Sequence, residues 1–421
     1  MQISIIGAGW VGVVTAAAFA DIGHTVCCAD VNAERIAKLN TGEVPFFEPG
    51  LSELLTRALA SGRLQFTTSN EEAMKTAEVV FCCVNTPTGN DGVTDLTAVM
   101  SVAKDFVSYH GADAVFVIKS TVPAGTAAEV RRLIGPDARI ASNPEFLAES
   151  TAIRDTMTPS RIVIGADESI TSDIVKRVYE PIIATGARVF ACDCATAEVI
   201  KTASNSFLAT RISFMNEIAN YCNRVGADPM GVAEGMGLDP RIGSVRPGVG
   251  YGGGCFPKDV QALLSEGQRT GSTLTVLQSA HEANYRQRTL LYDRMLAMLD
   301  GVKGKRIAIF GLAFKPKTDD IRDAPAMTFV ARLIADGATV TAYDPEVKAS
   351  KLAAYPELVL SPNELEAARG ADAVALMCEW PEFREIDLKA LQLVMNGRVL
   401  VDGRYVWSRK VVEALGFMYV V

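Results

Sequence analysis

The chain has 421 residues, 49% hydrophobic and 21% charged, with a formal net charge of −8 at pH 7. That length holds two or three domains; the acidic balance excludes a general nucleic-acid surface, and no apolar run reaches the ~20 residues that span a membrane. The nine cysteines include no C-x-x-C pair and the three histidines lack metal-ligand spacing, so neither a disulfide scaffold nor a metal site is expected, and Cys27, Cys28, Cys82 and Cys83 read as structural.

Met1 to Ile6 reads as a strand feeding a glycine turn, not as a cleavable leader, and a cytoplasmic location is expected. The turn is Gly7-Ala8-Gly9-Trp10-Val11-Gly12, a G-x-G-x-x-G run that opens into the helical stretch Val13 to Ala20. The next strand, Thr25 to Ala29, ends at Asp30, where a carboxylate can accept a hydrogen bond from a ribose 2′-hydroxyl and repel a 2′-phosphate. The pattern therefore predicts an NAD site. Further strands are expected at Val79–Val84, Ala114–Lys119, Arg139–Ala141 and Ile162–Ile164, alternating with helices as a parallel sheet requires. Asn85-Thr86-Pro87-Thr88 and Ser120-Thr121-Val122-Pro123 follow two of these strands, which puts them at the carboxyl edge beside the cofactor.

From Ala195 to Met236 the pattern turns helical, with Val199, Ala203, Phe207, Ile212, Met215, Ile218 and Tyr221 at spacings of mostly three to five, a long spine helix and a successor. The run Gly250-Tyr251-Gly252-Gly253-Gly254-Cys255-Phe256-Pro257-Lys258-Asp259 follows. It places Cys255 where a glycine loop becomes a helix start, near the positive end of a helix dipole. Two readings stand at this point: a nucleophilic thiol, with the glycines admitting another molecule, or a small buried apolar residue. Helix continues to Leu299, and Gly301 to Lys305 breaks the pattern. A second α/β unit then repeats the first, with strands at Arg306–Phe310, Thr339–Ala342, Ala373–Met377 and Val399–Val401, Gly311 standing for Gly7 and Asp344 for Asp30. The expected fold class is α/β, two Rossmann-like domains joined by a long central helix and a helical dimerisation region. The boundaries are 1–194, 195–300 and 301–421, with a ligand cleft between the nucleotide-type folds.

Taken together, Gly7–Gly12, Ser120–Pro123, Asn143–Glu149, Glu198 to Lys201 with Asn205, Gly250–Asp259 and Phe310-Gly311-Leu312-Ala313-Phe314-Lys315 resemble, end to end and in order, the signatures of the UDP-glucose/GDP-mannose dehydrogenase family. Arg161–Gly165, Cys255–Asp259 and Glu379–Phe383 are most similar to the UDP-glucose 6-dehydrogenases within it. GDP-mannose and UDP-N-acetylmannosamine dehydrogenases are the near alternatives. Tyr251 and Gly254 depart from the phenylalanine and serine that relatives usually carry.

The resemblance implies a four-electron oxidation of UDP-glucose to UDP-glucuronate, with NAD as cofactor and a homodimer as the working unit. Cys255 would hold the sugar aldehyde as a thiohemiacetal and then a thioester, Lys201 and Asn205 would stabilise oxyanions, and Asp259, Thr121, Glu149 and Glu145 would position water or move protons. It further implies cofactor contacts from Gly7, Gly9, Val11, Gly12, Asp30, Arg35, Thr86, Thr121, Glu149 and Arg322. Substrate contacts would come from Glu145, Phe146, Leu147, Lys201, Asn205, Arg241, Tyr251, Gly252, Cys255, Phe314, Lys315 and Arg404, with Arg241 reaching across the dimer. Two competing functions remain open from the residues: a two-electron hydroxyacid dehydrogenase, which leaves the second α/β unit and Cys255 unexplained, and a non-catalytic NAD-responsive binding protein.

Overall fold

Runs such as Val79–Cys82 and Val115–Ile118, buried at every position, have no polar face to show solvent, and a parallel sheet covered on both sides is the architecture that accepts them. The computed structural model describes residues 1–89, 91–111 and 113–421. The chain divides into two compact units, 1–204 with 261–272 and 205–260 with 273–421.

The first unit carries an eight-stranded sheet: β1 Gln2–Ile6, β2 Thr25–Ala29, β3 Leu64–Thr67, β4 Val79–Cys82, β5 Val115–Ile118, β6 Arg139–Ser142, β7 Ile162–Ala166 and β8 Val189–Cys192. Their spatial order is 3-2-1-4-5-6-7-8, so the first six strands follow the doubly wound dinucleotide-binding order, with the switch point between β1 and β4. The sequence pattern predicts a parallel sheet, and one pairing corrects it: β7 pairs antiparallel with β6 through Ala141↔Ala166 and Ser142↔Gly165, while β7 and β8 run parallel to each other. Strand direction is set by the connection from Asn143 to Arg161, which returns without a crossover, and apolar content alone does not encode it.

The second unit carries β9 Arg306–Phe310, β10 Thr339–Tyr343, β11 Val359–Leu360, β12 Ala373–Leu376, β13 Val399–Asp402 and β14 Met418–Val420, all parallel, in the order 11-10-9-12-13-14. This repeats the order of the first six strands of the other sheet. Asp344 repeats the role of Asp30: its Oδ2 accepts from Leu312 N (2.7 Å) and Ala313 N (3.0 Å), as Asp30 Oδ2 accepts from Ala8 N (2.8 Å).

The central helix spans Cys194–Val225, 32 residues, and the boundary between the compact units falls within it. It stops before Gly226, at φ 75°, and a successor begins at Pro229 behind Asp228, whose side chain caps Met230 N. Beyond the cysteine loop come two helices, Phe256–Arg269 and Thr275–Leu299, broken at Gly271 with φ 73°. No helix among the described residues is long and apolar enough to cross a membrane.

Candidate active site

In the first unit, the three glycines after β1 do different work. A Cβ on Gly7, which has φ +105°, would lie 2.7 Å from Cys83 O, and one on Gly12 would lie 1.8 Å from Gly7 O, so both are required by the chain's own packing. A Cβ on Gly9 would meet nothing nearer than Asn85 Oδ1 at 3.9 Å. Gly9 caps the helix Trp10–Asp21 without a side-chain bond, leaving amide groups at that N-terminus for an anion. Asp30 is held in place beside this turn: Oδ2 takes Arg35 Nη1 at 3.1 Å and Oδ1 takes Asn32 N at 2.9 Å. Open space at Gly9, an uncapped helix start and a carboxylate eighteen residues after Gly12 fit a dinucleotide. At the carboxyl edge Thr86 Oγ1 donates to Thr121 O at 2.7 Å, and Ser120 Oγ donates to Val84 O at 2.7 Å, tying the two edge loops together. Val11 and Thr121 are half-buried.

The loop after β6 carries the next group. Glu145 is buried, and its Oε1 accepts from Lys201 Nζ of the central helix at 2.7 Å. Its Oε2 accepts from Leu147 N at 2.6 Å, which turns the loop back on itself. The Phe146 ring carries the Arg161 guanidinium at 3.7 Å from its centroid. Residues 143–149 are not helical, so Glu145 and Glu149, four apart, do not share a helix face; Glu145 is enclosed and Glu149 half-buried.

Two positions to which the sequence assigned no role organise this unit. Glu48 is 5% exposed and accepts from Trp10 Nε1 (3.1 Å), Ser150 N (2.9 Å) and Ala152 N (2.9 Å). One carboxylate thereby joins the dinucleotide turn to the loop that carries Glu149, and it holds Ser150 at φ 72°, a conformation unfavourable for a residue with a Cβ. Glu198 of the central helix accepts from Gly125 N, Ala127 N and Ser142 Oγ at 2.7, 2.9 and 3.1 Å. Burial pushes its carboxyl above the ordinary glutamate range. No local pattern marked the role of either residue, because their partners, mostly backbone amides, are distant in sequence.

In the second unit, Cys255 stands at the start of the helix Phe256–Arg269, and its carbonyl accepts from Asp259 N at 2.9 Å. It is the exposed member of the nine cysteines. Burial raises the thiols of Cys82, Cys83 and Cys194 to about 12 and pushes those of Cys28 and Cys378 well up. Asp259, one turn on, is 1% exposed and accepts from Asn205 Nδ2 at 2.6 Å and Lys258 Nζ at 2.7 Å. The reading of Cys255 as a buried apolar residue is therefore excluded.

The glycines before Cys255 are approached by the chain itself, where the sequence pattern pointed to an external molecule. Added Cβ atoms on Gly250, Gly252, Gly253 and Gly254 would meet Asn284 Oδ1 at 2.7 Å, Asp323 O at 2.3 Å, the Phe314 ring at 3.0 Å and the Arg322 guanidinium at 2.5 Å. Tyr251 is buried, its amide donating to Asn284 Oδ1 at 2.7 Å and its carbonyl accepting from Arg288 Nη2 at 2.6 Å. Arg404 is clamped by Met377 O (2.9 Å) and Phe314 O (3.0 Å), and Lys315 Nζ lies 5.6 Å from the Phe314 ring centroid. Arg241 is 87% exposed and pairs with Asp239 at 2.6 Å.

Three family models match in order: the UDP-glucose/GDP-mannose dehydrogenase family NAD binding domain over residues 1–183, the central domain over 195–286 and the UDP binding domain over 308–409. The chain belongs to this family. It is 41% identical to the UDP-glucose 6-dehydrogenase of Pseudomonas aeruginosa, over 100% of this chain and 96% of that protein. Among solved structures, a UDP-glucose dehydrogenase from Pyrobaculum islandicum superposes with a TM-score of 0.90 at 35% identity, covering 96% of this chain and 94% of that one. A UDP-D-ManNAc dehydrogenase from Pyrococcus horikoshii gives 0.89 at 26% identity, covering 100% and 98%. Membership makes the chain an NAD-dependent oxidoreductase, and the glycine turn with its open space at Gly9 lies within the stretch that matches the family's NAD binding domain.

Proposed function

We propose that the chain is a UDP-glucose 6-dehydrogenase, converting UDP-glucose, two NAD+ and water into UDP-glucuronate, two NADH and three protons. The observation that carries the reading is Cys255: an exposed thiol at a helix start, with the buried, hydrogen-bonded Asp259 one turn along. NAD, when bound at the glycine turn, supplies the acceptor for the hydride lost in each oxidation.

The C6 alcohol first loses a hydride and its hydroxyl proton to become the aldehyde. Cys255 Sγ then adds to that aldehyde, forming a C–S bond while the thiol's proton goes to the carbonyl oxygen, which gives a thiohemiacetal. Loss of hydride from C6 and of the hydroxyl proton leaves a thioester. Water then attacks that carbonyl, the C–S bond breaks and the thiolate departs. Lys201 and Asn205 are assigned to the oxyanions. Lys201 is preset by Glu145 at 2.7 Å and Asn205 by Asp259 at 2.6 Å, so each donor is oriented before substrate arrives. Asp259, Thr121, Glu145 and Glu149 are assigned to positioning water and moving protons. Lys315, Phe314, Arg404, Tyr251, Gly252, Phe146, Leu147 and Arg241 are assigned to the nucleotide sugar, and Val11, Arg35, Thr86 and Arg322 to the cofactor.

The three matched stretches support a division into 1–194 for NAD, 195–300 for helical association and 301–421 for the nucleotide sugar. Phe207, Phe214 and Tyr221 are exposed at seven-residue intervals on the central helix, 66, 52 and 62%, which supports a homodimer packed along it. A cytoplasmic setting belongs to the same reading.

The test is initial rates with UDP-glucose, GDP-mannose and UDP-N-acetylmannosamine, together with NADH formed per sugar consumed. Two NADH per UDP-glucose, and the highest kcat/KM for that sugar, are expected. A ratio of one, or a dominant rate with either other sugar, would overturn it.

A further inference from the structure

Within the first unit, the loop after β6, the start of β7 and the stretches bearing Thr15 and Tyr179 enclose a cavity of about 360 Å³. That is the size of a small-molecule site, commonly ~300–1,000 Å³. Two of its cations lack a counter-ion. Lys119 is 6% exposed, and its Nζ has only neutral partners, Asn143 Oδ1 and Tyr179 OH, each at 3.2 Å. Tyr179 OH itself donates to Asn143 Oδ1 at 2.5 Å, which leaves the ammonium with no anion behind it. Arg161 lies over the Phe146 ring and reaches Ser160 Oγ at 3.1 Å and Ser204 Oγ at 3.5 Å. Neither forms an ion pair with any described residue.

The carboxylates of the same wall are already neutralised, Glu145 by Lys201 at 2.7 Å and Asp155 by Arg154 at 3.2 Å. The wall therefore carries surplus positive charge at Lys119 and Arg161. A buried ammonium without an anion costs several kcal/mol, and proteins rarely keep one without a purpose. The cavity also exceeds, by about tenfold, the ~30 Å³ share of one water, and Phe19, Leu147 and Ile162 give it an apolar side. An oxyanion with several acceptor oxygens and a small organic body answers both features.

We propose that this cavity binds a small phosphate monoester, its phosphate drawing on Lys119 and Arg161. Glu145, Phe146 and Leu147, given catalytic or sugar-binding roles above, also line this cavity, but Lys119 and Arg161 belong to none of those roles. The site is independent of which sugar the enzyme oxidises.

The test is thermal stabilisation by glycerol 3-phosphate, inorganic phosphate and glycerol. It is measured on the full chain with NAD and UDP held in excess, so that nucleotide phosphate sites do not report. Saturable stabilisation by glycerol 3-phosphate is expected, tighter than by inorganic phosphate and absent with glycerol. It should weaken at least ~10-fold in both Lys119→Met and Arg161→Gln, the loss expected for a charge-assisted contact. Methionine keeps the chain length of Lys119, and Arg161 is half-buried, so the two variants test the site through different packing. No saturable shift in the unaltered chain, or an unchanged one in both variants, would overturn the site; equal affinity for inorganic phosphate would overturn the ester.

Discussion

Lys201 reaches Glu145 at 2.7 Å with the two side chains only 4 and 7% exposed. A buried pair of this kind stabilises little in net terms, yet removing one partner strands the other charge at a cost of about 3–5 kcal/mol. Lys201→Met should therefore lower Tm, and should also cut kcat by roughly 10²–10³, the range for loss of one oxyanion donor. Glu145→Gln should keep more activity than Lys201→Met, because the ammonium stays. Calorimetry paired with steady-state NADH kinetics checks both, and equal kcat in the two variants would refute the donor role of Lys201.

Cys255→Ser should leave the fold intact, since the side chain is exposed, and reduce uronate formation by at least ~10³-fold. Uronate measured directly by mass spectrometry, at the unaltered rate, would end the covalent reading.

Glu48→Ala should destabilise by roughly 2–4 kcal/mol, because three donors lose one buried charged acceptor. The loop holding Glu149 and the turn holding Gly9 are both anchored there. A raised KM for NAD should accompany the lower Tm, and Glu48→Gln should recover part of each. Melting curves and NAD titrations of the two variants are sufficient.

Burial holds His24 below its ordinary 6.5, the nearby N-terminal ammonium adding to the effect while Val178 O opposes it. The folded chain thus prefers the neutral ring, whereas the unfolded chain takes up a proton below 6.5. Stability from this group is full above that value and is lost as pH falls from 6.5 through the lower folded value. His281, lowered by burial as well, acts with the same sign. Urea unfolding between pH 7.5 and 5 should show the decline, and His24→Asn should flatten it; an unchanged slope would count against the buried neutral ring.

Much of this arrangement was legible in residue order, for reasons that differ by element. Val79–Cys82 and Val115–Ile118 are continuous apolar runs, and such runs announce buried parallel strands. By contrast, β3 alternates, β8 is largely exposed and β14 has only three residues, so none stands out from loop sequence. Gly7 and Asp30 were readable because the turn needs those residue types. Gly250 to Gly254 were readable as a place of close approach, but their neighbours, Asn284, Asp323, Phe314 and Arg322, come from distant segments. Glu48 was not readable at all, and Glu198 only as part of a family signature with no role of its own, since an acid whose donors lie far off in sequence leaves no local pattern.

Eight thiols that burial or half-burial shields, three of them pushed to about 12, share a chain with one that meets solvent. An alkylating reagent at neutral pH should therefore meet a nine-cysteine protein as though it held a single cysteine. One equivalent of label should enter quickly at Cys255 and the rest only on unfolding. A fluorophore placed that way would sit on the thiol proposed to hold the sugar aldehyde, and on that proposal the same selectivity would let a mild covalent inhibitor act there.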